Sequence, residues 1–237
     1  MSDWLMSTWE SFEKAFLVSN RYVAYLEGFR TTLIISFFAV LLGVCAGLIL
    51  AIIKYMANHM ERNIILTVLN WIANIYIAII RGTPVYVQLL IMYFVIFSKS
   101  DLPPIVSAII CFGINSSAYV AEIIRAGIEA VDAGQMEAGR SLGLGWTQTM
   151  LSIIMPQAIK NILPALGNEF IVLIKETAVV GTITVLDVTR AAQNVAMLTF
   201  EYLPPLLITA AMYLVVVIIL TKLLGMFERR LAQSDRR

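Results

Sequence analysis

Asn115, Tyr119 and Glu122 stand at i, i+4 and i+7, a spacing that on a helix lines an amide, a hydroxyl and a carboxylate along one stripe. Glu169, Val172 and Glu176 form a similar stripe, with Lys175 beside the last. Such groups can accept hydrogen bonds from an ammonium or guanidinium and orient it, but they break no bonds without a nucleophile and a base. The chain offers no such pair. His59 is its only histidine, which leaves a His-dependent triad or a His-based metal site almost nothing to work with. Cys45 and Cys111 both lie inside apolar runs, where cysteine acts as small hydrophobic filler, so neither a disulfide framework nor a zinc site is implied. No catalytic residue and no metal ligand is assigned.

A second pattern concerns docking rather than binding. Glu137-Ala138-Gly139 is followed after three residues by Gly143, and after nine more by Ile153-Ile154-Met155-Pro156. Glu137 to Leu142 is predicted to form a short helix that Gly143 and Gly145 end, because glycine readily takes the positive φ needed just past a helix C-terminus. Pro156 and Pro164 punctuate the stretch beyond, each removing a backbone donor.

The elements that carry these residues can be placed from composition. Of 237 residues, 59% are hydrophobic and 14% charged, against roughly 45–50% and 25% in a soluble domain. The mean hydropathy of +0.83 places the chain in hydrocarbon. The expectation is an all-α membrane protein, since a membrane-spanning helix satisfies its own backbone polar groups. A crossing takes about 20 mostly apolar residues. Four stretches meet that need, approximately Gly28 to Tyr55, Pro104 to Arg125, Leu166 to Leu186, and Leu203 to Phe227. Between the first two, Ile64 to Phe97 is too long for one straight span and is interrupted by Arg81-Gly82-Thr83-Pro84. Reading Ile64 to Ile80 as an interfacial or bent lead-in to a span from Pro84 to Phe97 gives five transmembrane helices. Reading it as a separate crossing gives six.

Charge distribution favours five spans with the N-terminus outside and the C-terminus cytoplasmic. Lys54, Arg62, Arg81, Arg125, Arg140, Lys160, Lys175, Lys222, Arg229, Arg230, Arg236 and Arg237 then lie at or near the cytoplasmic side, leaving Lys14, Arg21, Arg30, Lys99 and Arg190 outside. The expected organisation is an N-terminal segment 1–27, a transmembrane domain 28–227 with its long cytoplasmic loop at about 126–163, and a basic cytoplasmic tail 228–237. Trp4, Trp9, Phe12 and Phe16 suggest an amphipathic helix on the outer membrane surface, and the segment lacks the basic start and cleavage site of a signal peptide. The net charge of +1 gives no field that would attract nucleic acid.

The loop pattern resembles the EAA motif of ABC importer permeases: Glu-Ala-Ala, three residues, Gly, nine residues, Ile, any residue, Leu-Pro. The spacing is intact, and the departures are Gly139 for Ala and Met155 for Leu. Arg81-Gly82-Thr83-Pro84 with Val87-Gln88-Leu89, Asn115-Ser116-Ser117-Ala118-Tyr119 with Glu122-Ile123, Pro156-Gln157-Ala158 and Lys175-Glu176-Thr177 are similar to the polar amino-acid branch of that family. The resemblance runs from about Gly28 to the C-terminus.

It implies a permease subunit in the bacterial inner membrane that forms half of a translocation pathway. The implied partners are a second permease subunit, identical or related, a cytoplasmic ATPase dimer, and an external binding protein that delivers an amino acid such as arginine, lysine, histidine or glutamine. Membrane lipid surrounds it. ATP and Mg²⁺ would belong to the ATPase, since nothing here resembles a Gly-x-x-x-x-Gly-Lys-Ser/Thr phosphate loop. Glu137, Ala138, Gly139, Leu142 and Gly143 would couple to the ATPase. Asn115, Tyr119 and Glu169 are the candidate substrate residues. Glu122 is expected to pair with Arg125; Arg81, Gly82 and Pro84 are expected to form a structural bend, with a gating role as the alternative; and Lys175 is expected to be structural or gating. A channel or a secondary carrier is the competing class; either would work without ATP. A secondary carrier would favour an internal repeat, and none is found.

Overall fold

The computed structural model describes residues 2–59 and 63–233, without the side chains of 2–7, 232 and 233. Arg62, Arg236 and Arg237 lie outside the described residues, as does the Trp4 side chain. All described regular structure is helical. The order is α1 (Ser2–Phe16), α2 (Tyr22–His59), α3 (Ile64–Gly82), α4 (Val85–Ile91, continuing as a π-turn Met92–Ile96), α5 (Pro104–Glu129), α6 (Ala133–Ser141), α7 (Trp146–Thr149), α8 (Met155–Glu176), α9 (Val188–Thr199) and α10 (Leu203–Gln233). A π-turn, Met150–Ile154, joins α7 to α8, and a 3₁₀ segment, Thr177–Ile183, comes after α8.

Helix α5 is the centre of the molecule. Its most apolar window is 61% buried, against 11–28% for α2, α3 and α10, whose outer faces are left for lipid. The closest neighbour is α2, which presents Ala39, Gly43, Gly47 and Ala51, all buried at four-residue spacing. A Cβ on Gly43 would meet Ser116 Cβ at 2.7 Å, and one on Gly47 would meet Val120 Cβ at 2.7 Å. Small residues at i and i+4 let two backbones approach where no hydrophobic effect drives helices together in lipid.

The register of these contacts fixes the direction of each helix. Gly43, Gly47 and Lys54 of α2 meet Ser116, Val120 and Glu122 of α5, so the two run parallel. Ile77 of α3 packs with Ala118 and Ala121, whereas Leu89 of α4 packs with Ala108, Cys111 and Phe112. Helices α3 and α4 therefore proceed in one direction along α5, opposite to it. They make a single bent pass, and a parallel α2 and α5 leave room for only one pass between them. Glu169 and Ile162 of α8 meet Ser116 and Gly127, so α8 is antiparallel to α5. Helix α10 starts beside Tyr25 and Phe29 and reaches Gly167 through Leu224, running opposite to α8. Five passes alternate in direction: α2, α3–α4, α5, α8 and α10.

Several sequence expectations change. Ile64–Gly82 is one 19-residue helix, long and apolar enough to cross by itself, while Val85–Ile96 is the shorter partner; the lead-in and the expected span exchange weight. Asn63 starts α3 as its N-cap, accepting from Ile65 N at 2.8 Å, a local signal that a reading by hydropathy passes over. The pass expected from Leu166 to Leu186 runs instead from Met155 to Glu176, because Pro156 and Pro164 sit inside the helical stretch without ending it. Lys175 is accordingly in the last turn of α8, at the end remote from α6, and not on the loop side. The expected loop 126–163 is mostly helical, and the expected tail continues α10 as far as Gln233.

Candidate functional site: a polar layer in the bundle and a helix beyond it

Half-way along α5, three side chains of the expected stripe turn to three different neighbours. Asn115, 3% exposed, donates through Nδ2 to Gln88 Oε1 of α4 at 3.0 Å. Tyr119 carries the guanidinium of Arg81 over its ring, 5.1 Å from the centroid, within cation–π range. Glu122 accepts from Lys54 of α2 at 2.7 Å and from Arg125 at 2.9 Å, and Arg125 also reaches Glu129 at 2.5 Å. The pairing of Glu122 with Arg125 expected from sequence is present, and Lys54 completes it from α2. Both oxygens of that carboxylate are engaged by cations.

Glu169 has a different environment. It is 8% exposed and accepts one hydrogen bond, from Ser116 Oγ at 2.9 Å. No ion-pair partner stands within reach of it among the described residues. Asn115, Ser116 and Tyr119 fall within about 100° of arc on α5; Glu169 is held on Ser116, at one edge of that arc, and bonds to neither Asn115 nor Tyr119. Tyr76 bridges α3 to the opposite side of α5, donating to Ile114 O at 2.8 Å and meeting Ser117 Oγ at 2.7 Å. The sequence reading missed Ser116 and Gln88 as partners, although both lie in segments it singled out.

Arg81, expected at the membrane interface, instead stands level with Tyr119, fifteen residues into α5. The bend beside it is a helix break. Helix α3 ends at Gly82, Thr83 is extended, and Pro84 precedes α4.

Beyond the C-terminal end of α5 and the N-terminal end of α8, α6 begins at Ala133, four residues before the expected start, because Asp132 caps it by accepting from Gly134 N at 2.7 Å. Gly143 ends it with φ +85°, and Gly145 serves as N-cap of α7 rather than as a second terminator. Glu137 and Ala138 are exposed, and Leu142 is 81% exposed at the tip, an apolar side chain that water does not favour. Gly139 is buried; a Cβ there would meet Thr149 Cγ2 at 2.5 Å. Tyr55, stacked on His59 at 4.2 Å, lies 5.8 Å from the Trp146 ring. The loop is thereby seated on the C-terminal end of α2.

The chain as a whole is similar to known proteins. Residues 43–233 match the family described as binding-protein-dependent transport system inner membrane component. The chain belongs to that family. It is therefore a multi-pass permease subunit of the inner membrane. It is 39% identical over 218 residues to the arginine transport system permease protein ArtQ of Bacillus subtilis, covering 89% of this chain and 93% of that one. The putative glutamine transport system permease protein GlnP of Rickettsia typhi is 40% identical over 210 residues, with 87% and 92% covered. A crystal structure of an amino acid ABC transporter with histidines superposes with a TM-score of 0.82 at 45% identity, covering 91% of this chain and 98% of that one.

Proposed function

We propose that the permease subunit passes an amino acid bearing a cationic group, ammonium or guanidinium, along the sector of α5 that holds Asn115, Tyr119 and Glu169. The observation that carries this reading is the contrast between two carboxylates. Glu122 is neutralised by Lys54 and Arg125, whereas Glu169 is buried with, among the described residues, a single hydroxyl donor and no cation in ion-pair range. A carboxylate within a membrane helix costs on the order of 2.5–3.5 kcal/mol by insertion scales, and a cationic substrate group offsets that cost while it is bound. Relatives named for arginine and for glutamine transport support the class of cargo. Because Asn115 and Glu169 are both buried in this conformation, the cargo reaches them only when the bundle opens.

The energy comes from outside the chain. Helix α6, with Glu137, Ala138, Gly139, Leu142 and Gly143, is the surface for a cytoplasmic ATPase dimer, which holds the ATP and Mg²⁺. A second permease, identical or related, completes the pathway, and an extracytoplasmic binding protein delivers the cargo. The α6 side is then cytoplasmic, with the C-terminus on that side and the N-terminus outside, an assignment supported by Lys54, Arg125, Arg140 and Lys160 clustering towards α6.

The test is uptake of arginine and of glutamine into proteoliposomes holding the assembled complex, its binding protein and internal ATP. Glu169→Gln retains the bond to Ser116 and removes the charge. The expected result is an assembled complex with KM raised about 10- to 100-fold, the equivalent of a charge-assisted hydrogen bond of about 1.5–3 kcal/mol. Unchanged uptake would remove Glu169 from the site, and uptake without ATP would make the chain a channel or a secondary carrier.

A further inference from the structure

We infer that Gln88 sets the polarity of Asn115, and so makes this position select for a substrate group that donates hydrogen bonds and against one that accepts them. The inference rests on the proposed placement of Asn115 in the pathway. It begins at Pro84. The carbonyl of Ile80, in the last turn of α3, would take its helical hydrogen bond from the N–H of residue 84, and proline has none. Gln88 supplies the missing donor from one turn into α4: its Nε2 lies 2.8 Å from Ile80 O, 3.1 Å from Thr83 O and 2.8 Å from Thr83 Oγ1.

Each of these three partners fixes the amide the same way round. Two are carbonyl oxygens, which only accept. The third, Thr83 Oγ1, spends its own proton on Ile79 O at 2.8 Å, so it also accepts from Gln88. The nitrogen of Gln88 must face the break in the helix, and its oxygen must face α5. That oxygen then obliges Asn115 to present Nδ2 to it, at 3.0 Å, because an amide oxygen there would set two acceptors against each other. Nδ2, with both of its hydrogens, is held at the Gln88 end, and Oδ1 is the end of the Asn115 amide turned away from Gln88 and available to cargo.

A proline in one helix thereby determines which end of an asparagine in another faces substrate. With Oδ1 presented, the position takes an ammonium or guanidinium N–H and meets a carboxylate oxygen lone pair to lone pair. Discrimination of this kind is strong when a buried polar group would otherwise stay unpaired. Glu169, also an acceptor, is held on the neighbouring Ser116.

Gln88 is a positioning residue on this account, and its test separates orientation from the mere integrity of the bend. Gln88→Met removes both functions of the amide. In the reconstituted complex, with uptake of arginine measured against competing glutamate, the expected result is that arginine KM rises and the preference for arginine over glutamate falls about tenfold or more, while kcat changes less. A general loss of kcat with the preference intact would overturn the inference and leave Gln88 as a brace for the bend. Gln88→Glu covers the case in which Gln88→Met does not assemble: it retains an acceptor for Asn115 Nδ2 but loses the donor to Ile80 O. Lower thermal stability with the preference retained is expected of it, and a preference lost there overturns the inference. Asn115→Ala tests the underlying placement separately. If it leaves both uptake and preference at wild-type values, Asn115 is outside the pathway and the proposed site itself is wrong at that position.

Discussion

Gly43 of α2 and Ser116 of α5 meet so closely that a Cβ on the glycine would stand 2.7 Å from both Cβ and Oγ of the serine. The same hydroxyl holds Glu169 at 2.9 Å, so this close helix contact also sets the one donor to the candidate substrate carboxylate among the described residues. Gly43→Val must push α2 away from α5 or turn Ser116 out of its rotamer. Overpacking of this kind costs about 1–3 kcal/mol. The expected outcome is a lower thermal unfolding midpoint in detergent together with weaker uptake. A variant as stable and as active as the wild type would show that α2 and α5 are not in contact at this level.

How far such relationships can be seen in a sequence depends on what carries them. Hydropathy over Gly28–Tyr55, Pro104–Arg125 and Leu203–Phe227 marks α2, α5 and α10 because a lipid-facing helix is apolar over a whole window. It misplaces α8 because Asn161, Asn168, Glu169 and two prolines dilute the signal, and a bundle that surrounds those groups with protein tolerates them. Positive charge points to five passes, yet for α3 and α4 it puts the weight on the wrong half. Only the parallel register of Gly43–Ser116 and Gly47–Val120 decides the count. The four-residue run Ala39, Gly43, Gly47, Ala51 is available in the sequence as a packing signal. The link from Pro84 through Gln88 to Asn115 is not, since three residues 31 positions apart reveal nothing until α4 lies on α5.

Lys54 and Glu122 join α2 and α5 towards their α6 ends at 2.7 Å, with side chains 14% and 20% exposed. Each single removal leaves a half-buried charge short of a partner, whereas Lys54→Met with Glu122→Gln removes both. Coupling energies for residues in contact run at about 0.5–3 kcal/mol, and the low exposure places this pair in the upper part of that range. Arg125 stays bound to Glu122 in the Lys54 variant, so Glu122→Gln is the more damaging single change. Thermal unfolding of the four proteins of the cycle measures this; additivity of the two changes would show the pair to be independent.

On the other side of the bundle, Lys14 of α1 binds Glu201, in the turn before α10, at 3.2 Å, and Thr199 O at 3.2 Å. Hydrogen bonds from Ser11 and Lys14 hold the Glu201 carboxyl below the ordinary value of 4.5. A carboxylate whose pKa is depressed on folding stabilises the fold above its unfolded value, and that contribution is lost as pH falls through the folded one. The attachment of α1 is therefore intact at neutral pH and weakens below 4.5. Trp9 fluorescence and protease access to α1 should change on acidification in the wild type and not in Glu201→Gln, in which α1 is already loosened at neutral pH. An identical acid response in that variant would place the titrating group elsewhere.

At Gly139, where the EAA motif carries alanine, the structure supplies a reason for glycine: the Cβ of an alanine would lie 2.5 Å from Thr149 Cγ2 and 3.0 Å from Thr149 Oγ1. Thr149 Oγ1 is itself tied to Gly145 O at 3.1 Å, so the threonine cannot turn away without giving up that bond. Gly139→Ala should tilt α6 on its seat and cost about 1–3 kcal/mol. Thr149→Ser deletes the methyl group while retaining the hydroxyl, so the double variant should recover most of the loss. Gly143 differs in kind. Nothing lies within 4 Å of the position a Cβ would take, but φ is +85°, and a left-handed non-glycine residue costs about 1–2 kcal/mol. Gly143→Asp therefore strains the end of α6 without a clash and places a charge beside Leu142. In proteoliposomes the expected ratio of amino acid transported to ATP hydrolysed falls for Gly139→Ala, returns with Thr149→Ser, and stays low for Gly143→Asp whatever is done at Thr149. Rescue of both by Thr149→Ser would mean that one generic instability of the loop, and not two separate contacts, governs coupling.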